Sequence, residues 1–324
     1  MPVRRLPPHA YFLVSAVFHY LGPAFAVLLF ARVDVLGVAW LRIASAALVF
    51  ALWRRPWRAF AAQEARGRWL LLGWGVTLAA MNCCFYMAID RLPLGTVAAI
   101  EFLPVIALAA LGARTRRNAA ALALAVPGVY LLCDVRIVAE PVGLALAFVN
   151  AGLFALYIVL ADRVAKRDSL SGIDGLAASM LVAAAAVTPV AAAHVIPALG
   201  DPVALAAGMG VGISSSVIPY VCDQLALERL ARSTYALLVS LLPATATVIG
   251  LVVLAQVPTA VEAAALALVV AGVALHRGPG ELEDRAPDEH EHDQDGHDGR
   301  DAHQPPEGGV LGTERVVAPL PLDH

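Results

Sequence analysis

The sequence predicts an all-α integral membrane protein with ten transmembrane helices, arranged as two inverted five-helix repeats and followed by a disordered C-terminal tail. Three observations predict this fold: the composition, the number of long apolar runs, and the similarity of two distant segments. The 324 residues are 60% hydrophobic and 15% charged, and the mean hydropathy is +0.73. Soluble domains contain about 45–50% apolar and about 25% charged residues. A soluble fold could not cover so much apolar surface, so lipid is its expected solvent.

Ten apolar runs are long enough to cross a bilayer, because a transmembrane helix needs roughly 20 residues to span ~30 Å of hydrocarbon. The runs occupy residues 10–30, 35–53, 69–88, 94–113, 119–135, 142–161, 173–196, 203–226, 233–254 and 258–275. Most connections between them are very short. A soluble catalytic domain therefore has no room in the chain.

The basic residues favour cytoplasmic termini in a bacterial-type plasma (inner) membrane, since Lys and Arg accumulate in cytoplasmic loops. With ten alternating spans, the cytoplasmic segments before the distal tail hold sixteen Lys and Arg residues. The outer loops hold three, Arg32, Arg91 and Arg136. The apolar run after Arg4 and Arg5 is too long for a cleavable signal peptide and is expected to remain as an anchor.

Residues 84–98 (CFYMAIDRLPLGTVA) and 222–236 (CDQLALERLARSTYA) are similar at a constant offset of 138, and one further residue of shift aligns Pro104 with Pro243. Because five spans separate the copies, the copies face opposite sides of the membrane, as in the inverted repeats of many secondary transporters. We therefore expect halves at residues 1–137 and 138–276, with helix breaks at Pro104 and Pro243 beside a binding site. Chance matching among Ala- and Leu-rich helices is the alternative.

These features resemble the EamA type of the drug/metabolite transporter superfamily. The resemblance covers roughly residues 10–275 and depends on the two five-span halves, the A-[ILV]-[DE]-R-L turn that opens into a helix, and the later proline. Residues 88–104, AIDRLPLGTVAAIEFLP, are similar to a segment of threonine/homoserine exporters, which carry a glutamate in the fourth helix. Arg42 matches an arginine that many members place in the second helix. The resemblance implies export of amino acids or similar metabolites, driven by the proton gradient.

Arg42 and Glu101 are ionisable residues inside apolar runs, where each costs several kcal/mol unless it faces a cavity or a partner. Each lies about seven residues into a span that begins at the outer face, so both are expected roughly 10 Å below the outer interface. Arg42 could hold a substrate carboxylate while Glu101 binds an ammonium group or carries the coupled proton. A static ion pair between the two side chains is the alternative.

Weaker candidates complete the predicted substrate-binding set. Asn82 lies at a depth comparable to Glu101, and Tyr86 is one turn away, near the interface, where tyrosine is common. His19, in the middle of the first span, could relay protons or simply pack. Ser240 stands near the place of Glu101 in the second half. The sequence predicts no prosthetic cofactor and no metal ligand within the spans.

Residues 277–324 are predicted to form an acidic, His-rich, disordered cytoplasmic tail. Its histidines alternate with carboxylates and could chelate a divalent metal weakly, although a purely solvated tail is the simpler interpretation. The expected partners of the protein are a small-molecule substrate and the lipid bilayer, without nucleic acid, and a homodimer is left open.

The predicted function is proton-coupled export of amino acids or similar small metabolites by alternating access. Efflux of hydrophobic drugs is the alternative within transport, and it would favour a more aromatic and less charged cavity. An intramembrane enzyme or a membrane scaffold is the alternative from another class. The enzyme is disfavoured because the chain has no H-E-x-x-H, no G-x-S-x-G and no paired intramembrane aspartates.

Overall fold

The computed structural model of the protein describes residues 8–112, 115–136, 139–165, 172–227 and 241–275. Within these ranges the chain forms helices joined by short turns, and the predicted all-α class is confirmed. The helices are α1 (Pro8–Leu29), α2 (Val35–Arg54), α3 (Pro56–Ala61), α4 (Ala65–Ile89), α5 (Leu94–Gly112), α6 (Arg116–Arg136), α7 (Pro141–Ala165), α8 (Gly172–Leu199), α9 (Pro202–Gly212), α10 (Ile218–Leu227), α11 (Leu242–Leu254) and α12 (Ala260–Leu275). A π turn (Ile213–Val217) joins α9 to α10.

Six helical stretches are long and apolar enough to cross a membrane. They are Ala10–Leu29, Val35–Arg54, Ala65–Ile89, Pro141–Val164, Gly172–Leu199 and Pro202–Cys222. Shorter apolar helical stretches are Leu94–Pro104, Leu242–Leu254 and Ala260–Leu275. The chain is thus multi-pass, whereas the full set of ten spans in two inverted halves stays a prediction. The tail, residues 277–324, lies outside the described residues.

The short helix α3 is absent from the predicted set of elements. Arg55 ends α2 in the left-handed conformation, with φ of 50°, and Pro56 then begins α3. Proline suits a first helical turn because its fixed φ is already helical and it needs no N–H donor there. Trp53 and Trp57 are exposed beside this turn, as expected for aromatic side chains near a membrane–water interface.

Helices that are far apart in the sequence pack together. The helix α2 lies against α8, and α4 lies against α7 and α8. The helix α1 lies against α9, the π turn, α10 and α11. The helix α5 lies against α7 and α11, and α6 lies against α12. This packing places α1, α2, α4, α5, α7 and α10 around one internal cavity.

A glycine sets the distance between α2 and α9. A Cβ atom at Gly212 would overlap Ser45 Oγ and would lie 2.6 Å from the carbonyl oxygen of Arg42. Small residues allow helix backbones to approach closely inside membranes. The contact at Gly212 therefore holds α2, at the level of Arg42, directly against the helix that continues into the π turn.

Candidate functional site

Four of the predicted site residues line the internal cavity. His19 projects from α1, Arg42 from α2, Asn82 from α4 and Glu101 from α5. The cavity has a volume of about 60 Å³, which is room for a few water molecules. Sites that enclose drug-sized ligands measure ~300–1,000 Å³. The surrounding helices must therefore separate before a larger molecule can occupy this cavity.

The guanidinium group of Arg42 is held by the π turn. Only 6% of Arg42 is exposed. Its Nε donates to Ser216 Oγ at 3.1 Å, and its Nη2 donates to the carbonyl oxygen of Ser215 at 3.3 Å. Both acceptors lie in the π turn between α9 and α10, so the two bonds hold one side of the guanidinium group against that turn. The guanidinium keeps further N–H donors that can receive an acceptor such as a carboxylate.

Tyr86 supports Arg42 without lining the cavity. The guanidinium carbon of Arg42 lies 5.4 Å from the centre of the Tyr86 ring, a cation–π contact. Tyr86 is fully buried, and its hydroxyl has no hydrogen-bond partner in the described part of the chain. The structure thus places Tyr86 beside the cationic group, and its predicted contact with a substrate stays a prediction.

The carboxyl group of Glu101 is buried, with 8% of the residue exposed. Its Oε1 accepts a hydrogen bond from Nδ2 of Asn150 at 3.1 Å. Among the described ion pairs, none joins Glu101 to Arg42, although both residues line the same cavity. The static ion pair that the sequence left open is therefore not formed in this structure. The two opposite charges face a shared space instead.

The other predicted residues have different surroundings. Asn82 donates from Nδ2 to the carbonyl oxygen of Leu78 at 2.8 Å, so its amide nitrogen is used within α4. The ring of His19 packs edge-on against Tyr20, with 5.2 Å between ring centres. Both side chains still border the cavity. Their contacts with a substrate stay predictions.

The two proline positions differ in local structure. The helix α5 continues past Pro104 to Gly112, whereas Pro243 lies in the first turn of α11. Neither proline lines the cavity. Their role as helix breaks beside a binding site stays a prediction, and Ser240 lies outside the described residues. Within the described ranges no group of three or more His, Cys, Asp or Glu side chains could hold a metal ion.

Sequence reasoning did not place Asn150 in the site, nor the aromatic wall beside it. Asn150 is fully buried on α7 and lines the cavity. The aromatic wall consists of Phe85, Phe154, Tyr157 and Tyr220. The signal for Asn150 was a single amide inside an otherwise apolar run. The rotation of α7 about its axis, which decides whether that amide faces the cavity or lipid, is not encoded in the spacing.

The chain is similar in sequence to known transporters and in fold to a solved structure. The EamA-like transporter family matches residues 141–277. The threonine/homoserine exporter RhtA of Escherichia coli strain K12 is 32% identical over 276 residues, which cover 83% of this chain and 92% of that protein. RhtA of Salmonella typhimurium strain LT2 is 32% identical over 254 residues, covering 77% and 84%. A crystal structure of a protein 18% identical in sequence superposes with a TM-score of 0.57 over 82% of this chain and 96% of the other. That last likeness concerns the fold alone.

Proposed function

Because the chain belongs to the EamA-like transporter family, we propose that this multi-pass inner-membrane protein exports threonine, homoserine and similar small amino acids. The observation that carries the proposal is the placement of Arg42 and Glu101 on one cavity without an ion pair between them. An amino acid offers a carboxylate and an ammonium group, which complement a guanidinium and a carboxylate. The family and its RhtA relatives point to transport rather than to enzymatic chemistry.

In the proposed mechanism, Arg42 binds the substrate carboxylate through the N–H groups that Ser215 and Ser216 leave free. Glu101 binds either the substrate ammonium group or a proton. A carboxylate cannot hold both at once, so the two cargoes compete for one group. A proton that reaches Glu101 from outside displaces the ammonium group outward, and release of that proton to the cytoplasm prepares the site for the next substrate. This competition couples amino-acid export to proton uptake.

Alternating access between two inverted halves is supported by the pattern of helix packing. The first half contributes α1, α2, α4, α5 and α6, and their proposed counterparts are α7, α8, α9–α10, α11 and α12. Exchanging the halves converts the α4–α7 contact into that of α1 with α9–α10, and α5–α7 into α1–α11. It also converts α4–α8 into the contact of α2 with α9. A two-fold relation of this kind is expected for an inverted-repeat transporter, with both termini in the cytoplasm.

One observation favours a second candidate function. Four aromatic side chains, from Phe85, Phe154, Tyr157 and Tyr220, line the same cavity as the charges. Aromatic faces bind apolar molecules and organic cations. Efflux of hydrophobic drugs is therefore the competing function, and a substrate panel must include such compounds.

The proposal is tested by overexpressing the full chain in a bacterial host that exports little threonine. Extracellular accumulation of threonine, homoserine and other amino acids is measured, together with tolerance to hydrophobic cations. We expect the wild-type protein to raise extracellular threonine and homoserine. Glu101→Gln and Arg42→Ala should each lower export by about 10-fold or more, since each removes a charge-assisted bond to the substrate.

Matched control variants are Glu140→Gln, just before α7, and Arg32→Ala, whose side chain is exposed beside Asp201. Both should export like the wild-type protein at equal membrane abundance. Amino-acid export that survives both cavity substitutions would reject Arg42 and Glu101 as the site. Tolerance to hydrophobic cations without any amino-acid export would favour the drug-efflux function instead.

A further inference from the structure

The buried amide of Asn150 faces Glu101 in a defined orientation. Asn150 is fully buried on α7, and its Nδ2 donates to Glu101 Oε1 at 3.1 Å. A carboxylate only accepts hydrogen bonds, so the nitrogen of the amide must be the atom that faces it. The oxygen of the amide, Oδ1, consequently points away from that bond.

This oxygen has no hydrogen-bond partner in the described part of the chain. Buried polar atoms in proteins nearly always have a partner, because an unpaired buried acceptor destabilises the fold. The unpaired oxygen belongs to a side chain that lines the cavity, next to the carboxyl group of Glu101. This corner of the cavity therefore offers acceptors to a ligand.

We propose that Asn150 Oδ1 and the Glu101 carboxylate together bind the ammonium group of the substrate, and that Asn150 makes the site select a primary ammonium. This inference rests on the proposed function, amino-acid export. A primary ammonium has three N–H donors, enough to reach both side chains at once. Arg42 on the opposite helix then receives the carboxylate, so the substrate lies across the cavity from α2 to α5 and α7.

The two side chains contribute in separable ways. Glu101 attracts any cation by charge, whereas Asn150 is neutral and offers the substrate a hydrogen-bond acceptor while its Nδ2 donates to Glu101. An N,N-dimethylated amino acid keeps its positive charge but has a single N–H, which Glu101 takes. Binding of the dimethylated compound therefore leaves Asn150 Oδ1 unpaired, and it should be weaker on the order of 10-fold, the typical effect of one buried hydrogen bond.

The experiment uses the purified full-length protein in liposomes, with uptake of labelled threonine as the readout. Unlabelled threonine and N,N-dimethylthreonine compete with the label, and the ratio of their half-inhibitory concentrations is measured. In the wild-type protein we expect a ratio on the order of 10 in favour of threonine. Asn150→Leu keeps the size but removes both the acceptor and the Nδ2 bond to Glu101. Loss of the Nδ2 bond affects both compounds alike, so loss of the acceptor should bring the ratio close to one.

Asn150→Asp should keep the preference because it retains an oxygen acceptor. Ser179→Ala is the control, since Ser179 is fully buried in α8 and its hydroxyl donates to the carbonyl oxygen of Leu176 within the same helix. Asn150→Ala replaces Asn150→Leu if the leucine variant does not reach the membrane. Thermal unfolding of each variant separates a loss of fold from a loss of selectivity.

Three outcomes would overturn the proposal. A wild-type ratio near one would do so without any variant. An unchanged ratio in Asn150→Leu would mean that the methyl groups are excluded by size rather than by the missing bond, and threonine flux would still support the proposed function. Absence of threonine and homoserine flux in the wild-type protein would instead reject the proposed function, and the assignment of Asn150 with it.

Discussion

Two regions of the molecule are buried between helices: the contact of α6 with α12, and the internal cavity. They differ in the polarity of the residues that form them. Along α6 the buried positions are Asn118, Ala121, Ala125, Gly128, Val129 and Leu132, and along the facing part of α12 they are Ala265, Leu266, Val269, Gly272 and Val273. The cavity is bordered by His19, Arg42, Asn82, Glu101 and Asn150 as well as by aromatic side chains. The α6–α12 contact is mainly apolar, with Arg117 Nε donating to the carbonyl oxygen of Leu275 at 2.7 Å, whereas the cavity wall combines charged and amide side chains with aromatic ones.

The two regions also differ in the hydrogen-bond donors and acceptors that stay available to a ligand. A Cβ atom at Gly128 would lie 2.7 Å from the carbonyl oxygen of Ala265, and one at Gly272 would lie 2.8 Å from that of Ala121. Backbones in such reciprocal contact gain dispersion energy and have no group left to satisfy. Around the cavity, Arg42 keeps unused donors and Asn150 keeps an unused acceptor. We therefore expect α6 and α12 to stay in contact during transport, and the cavity to bind the ligand.

The largest effect is expected from breaking the fixed contact. Gly128→Val would push a branched side chain into the backbone of α12. Overpacking of this kind costs about 1–3 kcal/mol, and here the obstacle is backbone rather than a movable side chain. We expect a clear fall in the melting temperature and in membrane abundance. Gly152→Val is the matched control, because a Cβ atom at Gly152 meets nothing within 4 Å.

If Gly128→Val unfolded at the same temperature as Gly152→Val, the α6–α12 contact would not be the fixed region of the molecule. The stability of the fold would then depend on other helix contacts.

A smaller effect on the fold, with a larger one on transport, is expected at the edge of the cavity. In Gly212→Ala the added Cβ atom overlaps Ser45 Oγ and approaches the carbonyl oxygen of Arg42. The α2 backbone must move away from α9, which moves the guanidinium away from Ser215 and Ser216. We expect export to fall several-fold while most of the protein still folds. Gly210→Ala on the same helix, with open space around its Cβ atom, is the control.

Equal export by Gly212→Ala and Gly210→Ala would show that the position of α2 does not control the cavity. Measuring threonine export per membrane-inserted molecule makes that outcome distinguishable from poor folding.

The smallest effect is expected outside both regions. Asp201 precedes α9, and its Oδ1 accepts hydrogen bonds from the backbone N–H groups of Ala204 and Val203. The bond from Ala204, followed by that from Val203 and the charge of Arg32, lowers the pKa of Asp201 below its usual value. A lowered pKa means that the carboxylate stabilises the folded state above its unfolded pKa and loses this contribution as the pH falls through the folded pKa.

Asp201→Asn retains the capping oxygen and removes the titration. We expect its melting temperature to fall less than that of the wild-type protein when the pH is lowered from neutral to acidic, with export unchanged at neutral pH. Parallel curves for the two proteins would show that this cap carries no acid-sensitive stability.

The sequence was sufficient to single out the two charged residues that line the cavity but not to predict how the helices turn toward one another. Arg42 and Glu101 could be recognised because ionised groups are rare in apolar spans. Asn150 could not, because an amide is tolerated on several faces of a helix. The π turn and α3 were missed for a related reason: both are short, and composition alone does not distinguish them from the helices and loops beside them. Ser240 and the tail remain predictions outside the described residues.

The π turn also limits how the transporter can change shape. A π turn holds one more residue per turn than an α-helix, so its conversion to α-helix would rotate everything after Val217 by about 100°. This rotation would move Tyr220 away from the cavity wall. Arg42 is bonded to Ser215 and Ser216 within that turn, so such a conversion would have to break these two hydrogen bonds first. A ligand whose carboxylate binds the guanidinium would compete with these two hydrogen bonds and would favour the conversion of the π turn to α-helix.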